Sequence, residues 1–517
     1  MCFYLKTDFK DIDVEQTNRL LFFLALFAVA GCNIRDGKVM RDLEQGEALA
    51  KKHCAECHLL PSPTDLNYRT WHAEVLPAMG VRLGFVDEQE KAHEIFRAIE
   101  PLGMYPEEKK ITAEEWNQIK MYFVYNAPEE LKVKEKEIPT DLGLFTEEAI
   151  ETPEQFPATS LLEIDEKEQK IYYGNAKNNV LYSYDYVKKT TSEINVGGSP
   201  SDIVHYDEGM LVLSMGTIYP NDKETGFVKY FGPEKQQSLI SNLPISVHLQ
   251  EEDLNNDQKK DLVVCGFGYQ KGKLAWYEHQ DSVYQEHLLK ELPGAIKTEI
   301  RDFNGDGHPD IMALMAQGDE GIFLFENDGH GNFKEDTLLR FPPGYGSTWF
   351  TFYDFNNDGK DDILYTNGDN ADFGSILKPY HGIRIFYNEG NNKYTEGFFF
   401  HLNGAFRALA DDYDLDGDTD IACISYFPDY NNTPQESFVY LENEGNMTFQ
   451  ARSSEVATKG KWLIMDKGDI DQDGDTDIVL GNSMLLLTKV PNELQKQWKE
   501  ENKPIRLLLN NTMGGGL

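Results

Sequence analysis

The pattern of apolar and polar positions divides the chain into a short helical part and a long β part. Residues 41–53 and 112–126 read as helices, and Thr112 and Glu115 have the spacing of a capping box at the start of the second. We therefore predict a small all-α domain over residues 33–128.

Helical spacing disappears after this domain. Residues 129–142 are charged and contain no apolar period, which is typical of a linker. From residue 143 to residue 517, short runs of Val, Ile, Leu, Tyr and Phe alternate with Gly, Asn and Asp turns. This pattern predicts an all-β domain.

An acidic segment occurs five times in the β part. The copies begin at Asp253, Asp302, Asp354, Asp412 and Asp469, with start-to-start spacings of 49, 52, 58 and 57 residues. Each copy has Asp at positions 1, 5 and 9, Asn or Asp at position 3, and an aliphatic residue at position 10. Position 6 is Gly in four copies and Gln258 in the first.

So many carboxylates in one tight turn repel one another unless a divalent cation lies between them. The first six positions resemble an EF-hand loop, but position 12 is never Glu and an apolar strand follows position 9. We expect up to five Ca²⁺ ions, the alternative being turns held by hydrogen bonds alone. The expected side-chain ligands are Asp253, Asn255, Asp257, Asp261, Asp302, Asn304, Asp306, Asp310, Asp354, Asn356, Asp358, Asp362, Asp412, Asp414, Asp416, Asp420, Asp469, Asp471, Asp473 and Asp477.

Three segments that follow acidic loops, 325–333, 386–394 and 441–449, read as strand, Asn/Gly turn and strand. A unit of about 50 residues is the size of a propeller blade. The repeats resemble the FG-GAP/VCBS family of calcium-binding propeller repeats. This resemblance implies an all-β propeller of about seven blades over residues 143–517, and the blades in residues 157–242 lack the acidic loop.

The two ends of the β part complement each other. The chain stops after a strand and a turn, without the outer strand that should follow, and residues 143–150 resemble that missing strand. We predict that these residues complete the last blade. Closure of the ring in this way would remove exposed sheet edges.

Residues 54–58 read Cys-Ala-Glu-Cys-His, the attachment pattern of a c-type haem. A redox C-x-x-C pair and half of a zinc site are the alternatives, but the sequence has no second C-x-x-C to complete a zinc site. With its flanking helices the segment resembles a cytochrome c domain that carries one covalent haem c. The implied ligands are Cys54, Cys57 and His58, with Met79, or alternatively Met104, as the sixth iron ligand.

Residues 20–30 form an apolar run that is shorter than the roughly 20 residues needed to span a bilayer. Its length is that of a signal-peptide core. The following Val-Ala-Gly-Cys at 29–32 resembles a bacterial lipobox, although the residues before the run are partly acidic. The resemblance implies that residues 1–32 are a lipoprotein signal and that Cys32 carries the lipid.

Composition narrows the classes of partner. The chain has 49 Lys+Arg against 88 Asp+Glu, a formal charge of −39. Because phosphate backbones are bound by clusters of Lys and Arg, a nucleic-acid partner is excluded. The six cysteines are too few for a disulfide framework, and we expect Cys265 and Cys423 to be buried free thiols.

The leader, the C-x-x-C-H segment and the blades together resemble a family of bacterial envelope lipoproteins. The resemblance implies a protein of the cell envelope that is anchored to the membrane by lipid. We expect it to transfer electrons through its haem to other envelope redox proteins, with the propeller as a docking or ligand-binding module.

Two other functions remain open at the level of sequence. The first is a periplasmic dehydrogenase with its active site on the propeller and the haem as electron exit. Its speculative catalytic residues are His381, Lys378 and Asp369, in the long loop 368–382. The second is a cell-surface adhesion protein, against which the haem motif argues.

Overall fold

The computed structural model describes residues 32–86, 90–134, 136–148, 150–153, 156–281, 283–371, 376–485 and 490–513. The predicted leader over residues 1–32 lies outside this part of the chain, except that Cys32 begins the first helix. The side chain of Cys32 is not described. Among the described residues, no helix combines the length and the apolar character needed to cross a membrane.

Short helices make up the N-terminal part. They are α1 Cys32–His53, α2 Tyr68–Thr70, α3 Leu76–Arg82, α4 Glu90–Ile99 and α5 Ala113–Asn126, with 3-10 turns at Pro63–Asp65 and Glu100–Leu102 and a π-helical stretch at Trp71–Val75. Helix α1 begins earlier than the predicted 41–53. The predicted capping box is confirmed, since Thr112 Oγ1 accepts from Glu115 N at 3.2 Å and Glu115 Oε2 accepts from Thr112 N at 2.8 Å.

Helices α1 and α5 cross in close contact at Gly46. A Cβ atom at this position would lie 2.2 Å from the Gln118 carbonyl oxygen, so only glycine allows the two backbones to approach this far. The apolar cluster of this part of the chain includes Trp71, Trp116 and Phe123, all at most 4% exposed. The crossing and the cluster fix the turn that follows α1.

Seven four-stranded antiparallel sheets follow. Blade 1 is β2 Thr159–Asp165, β3 Lys170–Asn175, β4 Val180–Asp185 and β5 Thr190–Asn195; blade 2 is β6 Pro200–Tyr206, β7 Gly209–Ser214, β8 Gly226–Phe231 and β9 Gln236–Leu243; blade 3 is β10 Ser246–Glu252, β11 Asp261–Gly266, β12 Lys273–Gln280 and β13 Val283–Lys290; blade 4 is β14 Ala295–Arg301, β15 Asp310–Met315, β16 Gly321–Asn327 and β17 Phe333–Arg340. Blade 5 is β18 Ser347–Tyr353, β19 Asp362–Asn367, β20 Gly382–Asn388 and β21 Tyr394–His401; blade 6 is β22 Ala405–Asp411, β23 Asp420–Ser425, β24 Phe438–Asn443 and β25 Phe449–Arg452; blade 7 is β26 Trp462–Gly468, β27 Asp477–Asn482, β28 Ile505–Asn510 and β1 Phe145–Glu148.

The ring is closed by strand β1. This strand pairs antiparallel with β28, in the register Phe145 to Asn510 and Glu148 to Leu507, and forms the outer edge of blade 7. The prediction that residues 143–150 supply the missing outer strand is confirmed. The fold is therefore a seven-bladed β-propeller whose two ends meet in one sheet.

The helical part lies against one face of the propeller. Because the blades are antiparallel, the loops between second and third strands emerge on the face opposite to the acidic loops. Two loops of this kind contact the helices: the Tyr380 hydroxyl donates to the Asp65 carbonyl at 3.0 Å, and Arg82 Nη2 donates to Gln270 Oε1 at 2.9 Å. Ile376 also packs against the helical apolar cluster.

The predicted linker is packed on the propeller along part of its length. Lys136 Nζ donates to the His401 carbonyl and lies 3.5 Å from Glu436 Oε1. Ile138 is 7% exposed and joins the apolar cluster of blades 5 and 6. The charged composition concealed these contacts, because one buried Ile and one paired Lys make no periodic pattern.

One helix in the β part was not predicted. Helix α6, Asn492–Glu501, lies between β27 and β28 and buries Trp498 completely. The buried, unpaired thiols expected at Cys265 and Cys423 are confirmed, and burial raises the pKa of Cys265 to about 12.

Removing the aromatic ring that seats β1 is expected to destabilise the whole propeller. Phe145 packs against Tyr413 and Tyr440, with ring centroids 5.9 and 6.2 Å away. We expect Phe145→Ala to lower the free energy of unfolding by about 2 kcal/mol in urea denaturation, since the ring is partly buried. Thr146→Ala, an exposed change on the same strand, should cost less than about 0.5 kcal/mol. Equal effects would contradict this role for Phe145.

Candidate functional site

The five acidic loops, residues 253–261, 302–310, 354–362, 412–420 and 469–477, share one backbone conformation. Positions 4 and 6 have positive φ in every loop. At position 6, four loops use glycine, whereas Gln258 adopts a φ of 69° in the first. The first loop therefore folds like the others. Its two lysines donate to Asp281 and Glu252, and Lys259 Nζ also lies 3.8 Å from Asp257 Oδ2, one of the predicted ligands.

Side-chain oxygens organise the interior of each loop in the same way. In the second loop, Asp302 Oδ2 accepts from Gly307 N at 2.8 Å, Asn304 Oδ1 from Asp306 N at 2.9 Å, and Asp306 Oδ1 from His308 N at 2.9 Å. Positions 1, 3 and 5 make the corresponding bonds in the other four loops. The predicted ligand residues at these positions are thus brought together in all five loops.

The aspartate at position 9 is fully buried in every loop and links the loop to its sheet. In the fifth loop, Asp477 Oδ2 accepts from Ile470 N at 3.0 Å and Oδ1 accepts from Asn510 N at 2.8 Å. The same pair of bonds occurs at Asp261, Asp310 and Asp362. Asp420 replaces the first bond by one from the Tyr440 hydroxyl at 2.5 Å. Sequence analysis missed this anchoring role.

Carboxylate oxygens converge most closely in the fourth and fifth loops. Three acids in each of these loops place one oxygen apiece within 4.8 Å of one another, and these are the two such groups found in the described part of the chain. The first three loops have Asn at position 3, which replaces one carboxylate by an amide. The two groups are Asp412, Asp414 and Asp416, and Asp469, Asp471 and Asp477.

Both loops also contain carboxylate oxygens that are buried and accept no hydrogen bond from the described residues: Asp412 Oδ1, Asp418 Oδ1 and Asp475 Oδ1. An unsatisfied buried oxygen of this kind costs about 1–3 kcal/mol or more. Asp418 and Asp475 occupy position 7 of their loops, which the predicted set of side-chain ligands does not include.

Burial also makes the aspartates at position 9 of these loops costly to ionise. The pKa of Asp420 and that of Asp477 are raised to about 7, chiefly by burial and with a smaller contribution from neighbouring carboxylates. A divalent cation would reverse this cost and accept the unsatisfied oxygens. The donor set, hard oxygen atoms with carboxylates in the majority, fits Ca²⁺.

The C-x-x-C-H residues follow directly after α1. Cys54 and Cys57 are unpaired thiols, and burial raises the pKa of Cys54 to about 11. His58 Nδ1 lies 2.9 Å from the Leu59 carbonyl oxygen, so this nitrogen carries the ring proton and Nε2 is left as a ligand atom.

The two candidate sixth ligands have different environments. Met79, in α3, is partly buried and packs against the same apolar cluster as Cys54. Met104 follows the 3-10 turn after α4 and is 38% exposed. The observed packing thus relates Met79, but not Met104, to the thiol segment.

The speculative catalytic residues come together beneath the helical part. Lys378 is 4% and His381 1% exposed, and burial lowers the pKa of His381 well below its usual value. Burial raises the pKa of Asp369, and Lys378 opposes the shift. Sequence analysis missed Glu320, which is 2% exposed, accepts from Ser347 N at 2.7 Å, and has its pKa raised by burial to about 8.

Comparison with known proteins agrees with this geometry. Residues 302–365 and 412–480 match the family described as FG-GAP-like repeat. These two stretches contain the second to fifth acidic loops, with the strands that flank them. The chain is therefore a β-propeller with FG-GAP-like repeats. No curated protein sequence matches it significantly.

Solved structures include propeller-sized neighbours of low similarity. The N-terminal domain of Nup159 is 12% identical with a TM-score of 0.40, and the match covers 73% of this chain and 98% of that one. A protein from Lactobacillus plantarum is 11% identical with a TM-score of 0.37, covering 63% and 89%. At these values neither neighbour bears on function.

The positive φ at position 6 yields a prediction of stability. Gln258→Gly should raise the free energy of unfolding by about 0.5–1 kcal/mol, because glycine adopts a φ of 69° without steric cost. Gly307→Ala, at the same position of the second loop with a φ of 87°, should lower it by at least about 1 kcal/mol. Urea denaturation measures both. A destabilised Gln258→Gly variant would mean that the Gln side chain makes a contribution of its own.

Proposed function

We propose that this protein is an electron-transfer lipoprotein of the bacterial envelope, with a haem c in its helical part and a calcium-stabilised propeller as docking module. The observation that carries the proposal is the Cys54–His58 segment at the end of α1. Its two thiols are unpaired, and the hydrogen bond of His58 Nδ1 leaves Nε2 for iron.

The helical part suits a covalent prosthetic group. The thiols follow one helix, and the crossing at Gly46 holds that helix firmly against α5. Bound there, haem would supply a one-electron redox centre. The chain's own residues would attach it through Cys54 and Cys57, orient the His58 imidazole through the Leu59 carbonyl, and exclude water with the cluster of Trp71 and Trp116.

For the sixth position we propose Met79, because it shares an apolar cluster with Cys54, whereas Met104 is more exposed. A thioether ligand raises the reduction potential of a haem, which suits an electron carrier. The partners we propose are other envelope redox proteins.

We also propose Ca²⁺ as the resident ion of the acidic loops. The support is strongest in the fourth and fifth loops, where three carboxylates converge and buried oxygens have no hydrogen-bond partner among the described residues. The first three loops share the hydrogen-bond scheme but have fewer carboxylates. Filled loops would stiffen the face opposite to the helical part.

The envelope location rests on the leader and the lipobox. Cys32 would carry the lipid, and α1, which starts at this residue, would connect the anchor to the haem segment. A compartment outside the cytoplasm, where calcium is plentiful, suits the loops.

A dehydrogenase is the second candidate function. One observation favours it: Lys378, His381, Asp369 and Glu320 converge next to Tyr380, which contacts the helical part. Because Lys378 and His381 are almost completely buried, a substrate could reach them only after a local opening of the structure.

Replacement of the attachment residues tests the haem. Cys54→Ser with Cys57→Ser should abolish covalent haem, read by haem staining of a denaturing gel after expression with a cytochrome maturation system. Cys265→Ser, a buried thiol of the propeller, is the matched control and should stain like the parent. A parent protein that does not stain would refute the proposal.

Replacement of the thioether tests the sixth ligand. Met79→Ala should lower the reduction potential and change the absorption spectrum of the reduced protein, because a Met ligand favours the reduced iron. Met104→Ala should leave both unchanged. The reverse result would identify Met104 as the ligand.

Calcium should stabilise the propeller in a pH-dependent way. The folded, metal-free pKa of Asp477 is raised to about 7, above the unfolded value of about 3.9. The metal-free protein therefore binds more protons than the unfolded chain and loses stability as pH rises through this window. Because Ca²⁺ requires ionised carboxylates, the rise in melting temperature on adding it should be larger at pH 8 than at pH 5.

The variant pair for this test is Asp477→Asn and Asp207→Asn. The first should lose part of the calcium-dependent rise in melting temperature. The second changes an exposed acid in blade 2, which has no acidic loop, and should keep all of it. A parent protein whose melting temperature does not respond to calcium or chelator would contradict the calcium assignment.

A further inference from the structure

Every innermost strand of the propeller contains the same irregularity. In all seven blades the register with the second strand shifts between the first and third residues of the inner strand. A bulge re-aims the side chain that follows it, and bulges occur often beside functional sites. The residues that follow the bulge, from blade 1 to blade 7, are Leu161, Asp202, His248, Lys297, Trp349, Arg407 and Ile464.

Five of these residues, from blades 2 to 6, form a belt of polar and aromatic side chains. His248 Nδ1 lies 2.8 Å from Asp202 Oδ2. Further round the ring, Lys297 Nζ lies 4.2 Å from the centre of the Trp349 ring, and the Arg407 guanidinium carbon lies 3.7 Å from it. Each contact joins adjacent blades, so the belt follows the inner wall of the ring.

The belt faces the central channel. Burial lowers the pKa of Arg407, in blade 6, to about 10, and the charges of Asp466, in blade 7, and of Asp202, in blade 2, oppose this shift. Arg407 and Asp202 both lie on innermost strands, and an influence between blades that are not neighbours agrees with side chains that point toward the axis of the ring. Trp349 and Arg407 are both partly exposed, which agrees with a channel open to solvent.

The acceptors in this belt are already satisfied. Asp202 Oδ2 accepts from Leu249 N at 2.8 Å and Oδ1 from Ile203 N at 3.0 Å, in addition to its contact with His248. Asp466, the other carboxylate near Arg407, accepts from Ile164 N at 2.8 Å. Neither carboxylate forms an ion pair with Arg407 among the described residues.

The hydrogen-bond donors of the belt, in contrast, have few partners among the described residues. Within the described part of the chain, the Arg407 guanidinium makes one hydrogen bond, from Nη1 to the Met465 carbonyl at 2.9 Å. The Trp349 indole Nε1 is buried and has no partner there. A buried unsatisfied N–H calls for an acceptor that the protein itself does not supply. Guanidinium groups match the planar, two-oxygen geometry of carboxylates and phosphates.

We propose that the central channel binds a small oxyanion, a carboxylate or a phosphate group, between Arg407 and the Trp349 indole N–H. Lys297, whose Nζ lies 2.6 Å from Glu299 Oε1 and 4.2 Å from the centre of the Trp349 ring, adds positive charge beside the same indole. The site is independent of the haem and the calcium loops. It gives the propeller a ligand of its own.

Isothermal titration calorimetry of the full-length protein tests the site. Succinate and methyl phosphate are the two probes, at constant ionic strength and with calcium present. We expect saturable binding of one probe molecule per chain. Binding of succinate alone would identify a carboxylate ligand, and binding of methyl phosphate alone a phosphate ligand. Absence of saturable binding of both would overturn the proposal.

Two variants locate the site. Arg407→Gln should weaken binding about tenfold or more, because a charge-assisted bond is lost. Trp349→Phe keeps an aromatic ring at this position but removes the indole N–H, and it should weaken binding about three- to tenfold. Arg452→Gln, a change on the outer strand of blade 6, is the control and should bind like the parent. If Arg407→Gln does not fold, Trp349→Phe decides; unchanged affinity in that variant would overturn the proposal.

Discussion

The structure depends on one buried interaction, the aspartate at the end of each acidic loop that accepts two hydrogen bonds at once. In the fifth loop, Asp477 binds the amides of Ile470 and Asn510 and so joins the start of the loop, the second strand and the third strand. The buried carboxylate loses its hydrogen bonds to water and replaces them with bonds from backbone N–H groups. Four blades share this arrangement, and in blade 6 the Tyr440 hydroxyl takes the place of the first amide at Asp420. In all five, two hydrogen bonds to the buried aspartate make the acidic turn rigid enough to hold oxygens close together.

The same arrangement connects neighbouring blades. Asn327, whose amide is bound by Asp310, donates through Nδ2 to the Leu254 carbonyl in the preceding loop at 2.8 Å. Asn510 makes the equivalent bond to Tyr413 at 2.7 Å. The first and the fourth acidic loops are thus bound both to their own sheets and to the next one. The carboxylates concentrated in these loops repel one another, and a divalent cation would offset this repulsion.

Much of this architecture could be predicted from the sequence, because repetition makes weak signals strong. Five acidic segments at similar spacing predicted the loops and the size of a blade. The short strand that precedes the first blade could be matched to the outer strand that the last blade lacks. Other features have no local signature. Gln258 takes a glycine conformation because its loop is held at both ends, and Trp349 faces the channel because of a bulge. The Lys378–His381–Glu320 cluster depends on contacts between distant loops, so spacing alone predicted its members only in part.

The closing strand has a consequence for how the molecule is made. Strand β1 is synthesised before any other strand of the propeller, and its partner β28 is the last. Until β28 has been synthesised, β1 lacks its partner and blade 7 has an open edge. A chain terminated before β28 cannot cover that edge, which leaves it open to proteases and to aggregation. Completion of the ring therefore requires that translation has passed β28.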